Sequence, residues 1–398
     1  MKMLAQDGFG PGDKISKGFE AGMINGAILS ARYRNPVKLR EQIAEIYTSG
    51  RELLIDPEFY AMQFVGKPNA KLGVLEQWAY PIPRRSALIT GSGIAPVIKS
   101  ALEIQARYNR LSGMIAPNIY VESANSIDAA IALNFIAQTK IVADELNIND
   151  RPVYASLIIG RDVLASDGSF TELLNALTAL ESPPDGIYVV VGSGGIDEDD
   201  RLIRSDIFHD HVIAGWMMLN HAFSINGLKV INGCSDLLSP LLGICGAYGV
   251  STGWFSSLRQ FSIGRYIKPK TQGGAAPLVR YVSNPLLARI KQTEFNNYVS
   301  IVPEIKNKLS SDLYYEAEPT RAEEALQTWQ AISKMCDSCS SGKIKKDLVE
   351  FERRIDHAKS LWSRVEEAGF TGGVEAQYER LDAMLGGISL FREWAELT

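Results

Sequence analysis

Carboxylates follow several predicted strands, and these side chains have the chemistry to serve a reaction. Asp56 and Glu122 are the two that we predict to be catalytic, and Glu58 stands beside the first of them. A carboxylate in a partly apolar pocket can act as general base or acid, or stabilise a developing cation. A structural alternative stays open for each residue: an Asp-Pro turn for Asp56 and an ion pair with an arginine at the rim for Glu122.

Basic, amide, glycine and aromatic residues follow other predicted strands and have the chemistry to hold a ligand. Arginine binds phosphate and carboxylate oxygens in pairs, and glycine lets backbone N–H groups approach an anion. The predicted ligand-binding residues are Arg32, Arg161, Gly192, Gly194, Gly195, Asn232, Trp254, Arg259 and Arg265. The glycine run matches neither a P-loop nor a dinucleotide-binding fingerprint, and no cofactor is predicted.

The distribution of charge is the strongest local anomaly, because the chain as a whole has a formal net charge of -5. Residues 237–293 contain no Asp or Glu, and their cations are Arg259, Arg265, Lys268, Lys270, Arg280, Arg289 and Lys291. This stretch predicts an anionic ligand, and the aromatic residues interleaved with its cations also suit tRNA or DNA. A solvated basic face that complements acidic C-terminal helices is the structural alternative.

Short apolar runs alternate with amphipathic ones, a pattern typical of parallel strands joined by crossover helices. Strands are predicted at 26–31, 52–56, 118–122, 153–160, 186–192, 229–232, 248–252 and 259–263. Eight strands favour a closed (β/α)8 barrel, the TIM barrel, over an open sheet. Because the loops at the C-terminal ends of barrel strands build the active site, we expect Glu122, Arg161, Asn232 and Trp254 to converge around one opening.

The predicted barrel occupies residues 1–293, with an insertion at about 57–85 that is a candidate lid. Residues 294–398 are predicted to form a helical C-terminal segment, with helices at 325–335, 344–368 and 374–394. One side of these helices is apolar, so the segment docks either on the barrel or on a protein partner.

The composition and the cysteine pattern exclude several classes of protein. No apolar stretch of signal-peptide length precedes residue 12, and glycines and a proline interrupt the longest uncharged run, so neither export nor a membrane span is predicted. Four cysteines suit a reducing compartment, and we predict a cytoplasmic protein. Cys336, Cys339 and His357 look like part of a zinc site, but two sulfurs fall short of a full ligand set and no metal is predicted.

Short motifs occur in a defined order along the chain: Trp78 with Pro81, Thr90-Gly91-Ser92-Gly93, Val189 to Gly195, Gly249 to Gly253 followed by Arg259, Arg280-Tyr281 with Pro285-Leu286-Leu287, and Cys336, Cys339 and His357. This order resembles the W-x-x-P, T-D-S-G-G, glycine-rich, G-V-D-x-F-D, P-T-R, R-Y, P-L and zinc-ligand motifs of the tRNA-guanine transglycosylase family. Gly91 stands where that family has an aspartate, and Ser251 or Gly253 stands at its nucleophile position.

The resemblance implies a TIM barrel with a pocket for a nucleobase, a nucleotide or a nucleic acid. If the chain is an enzyme, we predict a transferase or hydrolase that acts on a glycosidic bond, with Glu122 or Asp56 assisting and Arg32, Arg161 and Arg259 holding anionic groups. Two alternatives stay open. One is a non-catalytic subunit of a nucleic-acid-handling complex that binds its partner through the helical C-terminus; the other is an unrelated barrel enzyme for a small phosphorylated metabolite.

Overall fold

The computed structural model describes residues 1–10, 13–47, 50–165, 167–194, 206–268, 278–316 and 318–397. The strands in these ranges are β1 (Lys2–Gln6), β2 (Gly26–Ser30), β3 (Glu52–Asp56), β4 (Met114–Ile115), β5 (Tyr120–Val121), β6 (Val153–Gly160), β7 (Gly186–Gly192), β8 (Lys229–Gly233), β9 (Gly249–Thr252), β10 (Arg280–Ser283) and β11 (Ala288–Lys291). The α-helices are α1 (Asp13–Glu20), α2 (Pro36–Ile46), α3 (Arg85–Ile89), α4 (Ile94–Ala106), α5 (Ile127–Glu145), α6 (Arg161–Ala165), α7 (Asp167–Thr178), α8 (Asp210–Ile225), α9 (Ser239–Ile244), α10 (Ser256–Arg259), α11 (Gln292–Ile301), α12 (Arg321–Asp337), α13 (Ile344–Glu367) and α14 (Val374–Trp394).

The main sheet is parallel, in the order β3-β2-β1-β9-β8-β7-β6-β4, and β5 pairs with β6 beside β4. Since β4 and β5 share one position, the sheet has eight positions. Its two edges meet where the Ser112 N–H donates to the Leu53 carbonyl over 3.0 Å and the Leu53 N–H donates to Ser112 Oγ over 2.9 Å. With helices alternating between the strands, this part of the chain is a nearly closed (β/α)8 barrel, as predicted.

Seven of the predicted strands coincide with observed ones, but the predicted strand at 259–263 is wrong. That segment contains the end of α10 and the start of a 3-10 helix at Ile263–Tyr266, and its one residue with strand-like pairing is Phe261, which forms an isolated bridge with Gly192. The remaining barrel position belongs to the N-terminal strand β1, which pairs with β2 and β9. Because β1 takes the first position, each of the seven confirmed strands occupies a position one later in the barrel than predicted.

The central strands are buried on both faces, as expected for a parallel sheet covered by helices. Every residue of β6 and β7 is buried. Gly186 begins β7 where the neighbouring strand comes close, because a Cβ atom there would lie 2.3 Å from the Lys229 carbonyl oxygen. Close packing of this kind fixes the strand ends, and with them the side chains at the C-terminal end of the barrel.

The C-terminal helices pack on the barrel, which was one of the two alternatives for this segment. Helix α14 lies along α8, α12 contacts α1 and the unpredicted hairpin β10–β11, and α13 contacts α9. Trp329 of α12 donates its indole N–H to the Thr252 carbonyl at the end of β9 over 2.9 Å. Among the described residues, no helix is both long and apolar enough to cross a bilayer.

Candidate functional site

The C-terminal end of the barrel holds a group of three buried carboxylates, which we call the acid cluster. Asp7 follows β1, Asp56 ends β3 and Glu58 lies two residues further on, and each is 1–2% exposed. Strands β1, β2 and β3 are neighbours, so these acids lie at one edge of the sheet. Burying acids together is costly unless hydrogen bonds and cations compensate.

Two tyrosine hydroxyls hold Asp56. Tyr60 and Tyr188 donate to its Oδ2 over 2.9 and 3.1 Å, and the Glu58 N–H donates to its Oδ1 over 2.8 Å, so the residue also forms the turn that the sequence allowed. Burial raises the pKa of Asp56 to about 6, and the charge of Glu58 adds to the increase. A carboxyl group with a pKa near neutrality can both give and take a proton.

Glu58 is held by three different kinds of side chain. The Tyr266 hydroxyl donates to its Oε2 over 2.6 Å, the Arg265 guanidinium lies 3.5 Å from the same oxygen, and the Ser30 hydroxyl donates to its Oε1. Its backbone φ of +48° is left-handed, a conformation that costs a non-glycine residue about 1 kcal/mol or more. Strain of this kind, beside buried charges, is typical of functional sites.

Asp7 pairs with Arg34, yet part of its carboxylate is left without a partner. Burial raises the pKa of Asp7 to about 6 although the Arg34 charge opposes the increase. In the part of the chain that the structure describes, Asp7 Oδ1, Arg265 Nε and the Tyr80 hydroxyl are buried without a hydrogen-bond partner. Such orphaned atoms are where a ligand or water completes the hydrogen bonding.

Two segments, 57–83 and 254–268, pack over the acid cluster and form its roof. The Lys71 N–H donates to the Tyr266 carbonyl and the Lys268 N–H to the Asn69 carbonyl, each over 2.7 Å. On the other side, the Ser193 N–H donates to the Phe261 carbonyl over 2.7 Å. The first segment is the one that the sequence predicted as a candidate lid.

A cavity of about 200 Å³ lies beside the roof. Phe59, Tyr60, Met62, Ile119 and Tyr120 supply most of its apolar lining, and Arg85 and Asp128 supply charges. An aromatic lining with few polar groups suits a planar organic ligand. Because Tyr60 both lines the cavity and donates to Asp56, one tyrosine side chain joins the cavity to the acid cluster.

Asp56, Arg32, Arg265 and Gly192 lie together at this end of the barrel. Arg32 donates to the Lys71 and Arg265 carbonyls over 2.6 and 2.9 Å, so it fixes the roof in place. Gly192 forms the bridge with Phe261. The catalytic role of Asp56 and the ligand-binding roles of Arg32, Arg265 and Gly192 stay predictions.

Glu122 lies near the rim, outside the acid cluster. It follows β5, and its side chain is largely exposed. The loss of part of its solvation, together with the charge of Asp162, raises its pKa. Arg161 donates to the Asp206 carbonyl and lies 3.5 Å from Asp162, so this arginine is not engaged with Glu122. Gly194 has the left-handed φ of +75° that suits glycine, and Gly195 lies outside the described residues.

The structure does not bring Glu122, Arg161, Asn232 and Trp254 around one opening, which corrects that expectation. Asn232 faces α8, where its amide accepts from the Trp216 indole and donates to Asn220, each over 2.7 Å. Trp254 is 1% exposed and packs on Trp329. Side chains alternate between the two faces of a strand, so a residue at a strand end points away from the barrel axis as often as toward it.

A second cavity at the same end of the barrel, of about 240 Å³, we call the arginine cavity. Arg259, Arg280 and Arg289 line it together with Arg380 from α14 and one carboxylate, Asp236. The first three come from the acid-free stretch that the sequence singled out for anion binding.

The cysteine pair does not fit the zinc site that the family resemblance implies. Cys336 and Cys339 are buried, burial raises the pKa of Cys336, and Arg354 donates to the Cys339 sulfur over 3.4 Å. A cation beside the sulfur opposes a metal, and no cluster of three or more His, Cys, Asp or Glu side chains suited to a metal occurs in the described ranges.

These features define the chain as a (β/α)8 barrel with buried acids at the C-terminal ends of its strands. No protein-family model matches the sequence, and no curated protein matches it. Among solved structures, a candidate fructose-1,6-biphosphate aldolase from Coccidioides immitis aligns with 85% of this chain and 90% of its own, at 10% identity and a TM-score of 0.35. The barrel architecture is established by the strand order of the chain itself.

Proposed function

We propose that the chain is a barrel enzyme that cleaves or exchanges a glycosidic bond in a nucleoside- or nucleotide-type ligand. The observation that carries this proposal is Asp56, a buried acid with a pKa of about 6 beside a second acid, joined by one tyrosine to an aromatic cavity. The order of motifs that resembles the tRNA-guanine transglycosylase family supports the class of ligand.

Glycosidic cleavage needs a proton for the leaving group and negative charge near a cationic transition state. In this proposal, the base occupies the aromatic cavity and displaces the Tyr60 hydroxyl from Asp56. The bond to the base breaks with its electron pair on the base nitrogen, which takes the proton of Asp56. Water or an incoming base then attacks the sugar carbon and returns a proton to Asp56, while Glu58 and Asp7 supply negative charge.

The direct test is Asp56→Asn, which removes the proton donor and preserves the shape of the side chain. We expect base release to fall by about 10² to 10⁴. The measurement is chromatography of free bases released from ribonucleosides, nucleoside monophosphates and bulk tRNA. Asp150→Asn is the matched control, because Asp150 is exposed and precedes β6 at the opposite end of the barrel; it should release base at the wild-type rate.

Two results would overturn the proposal: no base release by the wild-type chain from any of these substrates, or full activity in Asp56→Asn. Glu122→Gln compares the two predicted catalytic carboxylates. A larger loss of base release in Glu122→Gln than in Asp56→Asn would show that Glu122, at the rim, is the proton donor.

The arginine cavity favours a second candidate, the barrel enzyme for a small phosphorylated metabolite. Its arginines would hold the phosphate while the acid cluster acts on the rest of the molecule. Including sugar phosphates without a base in the same assays separates the two candidates. Turnover of a sugar phosphate with no release from nucleosides would favour the second.

A further inference from the structure

Arginines from separate parts of the chain face one cavity. Arg259 follows β9, Arg280 and Arg289 belong to the hairpin β10–β11, and Arg380 belongs to α14. Asp236 is the only carboxylate among the residues that line this cavity in the described part of the chain. Among the described residues that line the wall, arginines therefore outnumber carboxylates, a distribution that attracts anions.

Two of these arginines are held in position by carboxylates. Arg289 donates through Nε to Asp236 Oδ2 over 2.8 Å and through Nη1 to the Thr328 hydroxyl over 3.1 Å. Arg380 pairs with Asp206 over 3.0 Å. A guanidinium that is already oriented loses little conformational freedom when it binds a ligand.

The other two arginines, Arg259 and Arg280, have guanidinium N–H groups that are available to a ligand. Arg259 is nearly buried and lies 3.5 Å from Glu324, a carboxylate that it shares with Arg321 and with the Arg280 N–H. The Arg280 guanidinium makes no hydrogen bond or ion pair to any residue that the structure describes. Burial and the neighbouring Arg289 lower the pKa of Arg259 to about 10, as expected where cations outnumber carboxylates.

We propose that the arginine cavity binds the phosphate or diphosphate group of a phosphorylated ligand. Phosphate offers oxygens in several directions and carries up to two charges, so it can satisfy guanidinium groups that approach from different sides, whereas a carboxylate offers two oxygens in one plane. The volume of about 240 Å³ exceeds the needs of a single phosphate and leaves space for a second phosphate or a sugar.

This inference concerns binding alone and does not depend on the proposed reaction. One loop nevertheless joins the two regions: it carries Arg259 in the cavity, Phe261 against the ring of Tyr60, and Arg265 beside Glu58. A phosphate held by Arg259 therefore lies at the same end of the barrel as the acid cluster.

The test is isothermal titration of the full chain with inorganic phosphate and pyrophosphate, compared with malonate as a dicarboxylate. We expect saturable binding of pyrophosphate that is tighter than binding of malonate. Arg280→Gln should weaken pyrophosphate binding at least about tenfold, because it removes a charged donor from the cavity. Since the Arg280 guanidinium has no partner in the described residues, the unfolding temperature of this variant without ligand should match that of the wild type.

Arg353→Gln is the matched control, since Arg353 is exposed on α13 and lines a different cavity. Its pyrophosphate affinity should equal that of the wild type, and Arg280→Lys should keep part of the affinity. The absence of saturable binding, an equal loss in Arg353→Gln, or malonate binding as tight as pyrophosphate binding would each overturn the proposal.

Discussion

The acid cluster and the arginine cavity lie at the same end of one barrel and handle buried charge in opposite ways. In the acid cluster, Asp56 and Glu58 receive their hydrogen bonds from tyrosines, a serine and the backbone. In the arginine cavity, the Arg280 guanidinium has no charged partner among the described residues, and the nearly buried Arg259 shares Glu324 with Arg321. The difference teaches that the chain's own donors compensate the buried charge of the acid cluster, whereas in the arginine cavity the Arg280 guanidinium has no partner among the described residues and is open to a ligand.

We expect the largest loss of unfolding free energy from Arg265→Gln. The change leaves Glu58 buried without its cation, and breaking a buried pair in this way costs about 3–5 kcal/mol of unfolding free energy. Arg280→Gln, the equivalent change in the arginine cavity, should alter the unfolding free energy by less than about 0.5 kcal/mol. Urea unfolding of both variants provides the measurement. Equal losses would show that the cavity arginines are as structural as Arg265.

A smaller effect is expected from pH. In the folded chain the pKa of Asp56 is about 6, above the 3.8 of the unfolded chain, so the folded state holds a proton that the unfolded state has already released. The stability from this group is therefore fully present below pH 3.8 and is lost as the pH rises through 6. The loss approaches about 3 kcal/mol for a shift of about two pKa units.

Asp56→Asn should reduce the fall in unfolding free energy between pH 4 and pH 8, measured by denaturant unfolding at each pH. Asp7→Asn should do the same, because burial also raises the pKa of Asp7 to about 6, while the loss of the partner of Arg34 should lower the unfolding free energy at every pH. The Arg280→Gln variant should keep the wild-type pH dependence. An unchanged slope in Asp56→Asn would mean that Asp56 ionises at an ordinary pH in the fold.

Among the changes to the acid cluster and its roof, the smallest effect is expected from Phe261→Leu, which keeps an apolar side chain in the roof and removes the ring. The Phe261 ring meets the Tyr60 ring edge-on at 5.5 Å, and losing this contact should cost about 1 kcal/mol. Hydrogen exchange at the Ser193 amide, which donates to the Phe261 carbonyl, reports the loosened roof. An unchanged pyrophosphate affinity in this variant would show that the acid cluster and the arginine cavity act independently. A changed affinity would show that the loop carrying Arg259, Phe261 and Arg265 couples them.

The barrel could be predicted from the sequence because β-branched runs and amphipathic helices alternate regularly along the chain. The N-terminal strand β1 was not predicted, because the helix that follows it, α1, has only eight residues and is too short to show a sustained amphipathic pattern. Missing β1 also hid Asp7, which follows it. Asp56 and Arg265 were found because they stand at the end of a strand and in a stretch of unusual charge.

The direction of side chains inside the barrel was beyond the sequence. Strand β7 is buried along its whole length and β8 along most of it, so their apolar residues do not alternate with polar ones and give no sign of which face points inward. Tyr188 therefore went unnoticed, and Asn232 was placed at the opening when it faces α8. The basic stretch likewise gave no sign that Arg259 and Arg265, six residues apart, serve two different regions.

The hydrogen bonds of the roof bear on the speed of any reaction beneath it. Backbone hydrogen bonds from the N–H groups of Lys71, Lys268 and Ser193 hold segment 254–268 on two sides, each over 2.7 Å. In the proposed reaction, a base in the aromatic cavity reaches Asp56 by displacing Tyr60, whose ring packs on Phe261 of the roof, so the roof must move with it. We expect that opening and closing, on the microsecond to millisecond timescale, will limit turnover more than proton transfer does.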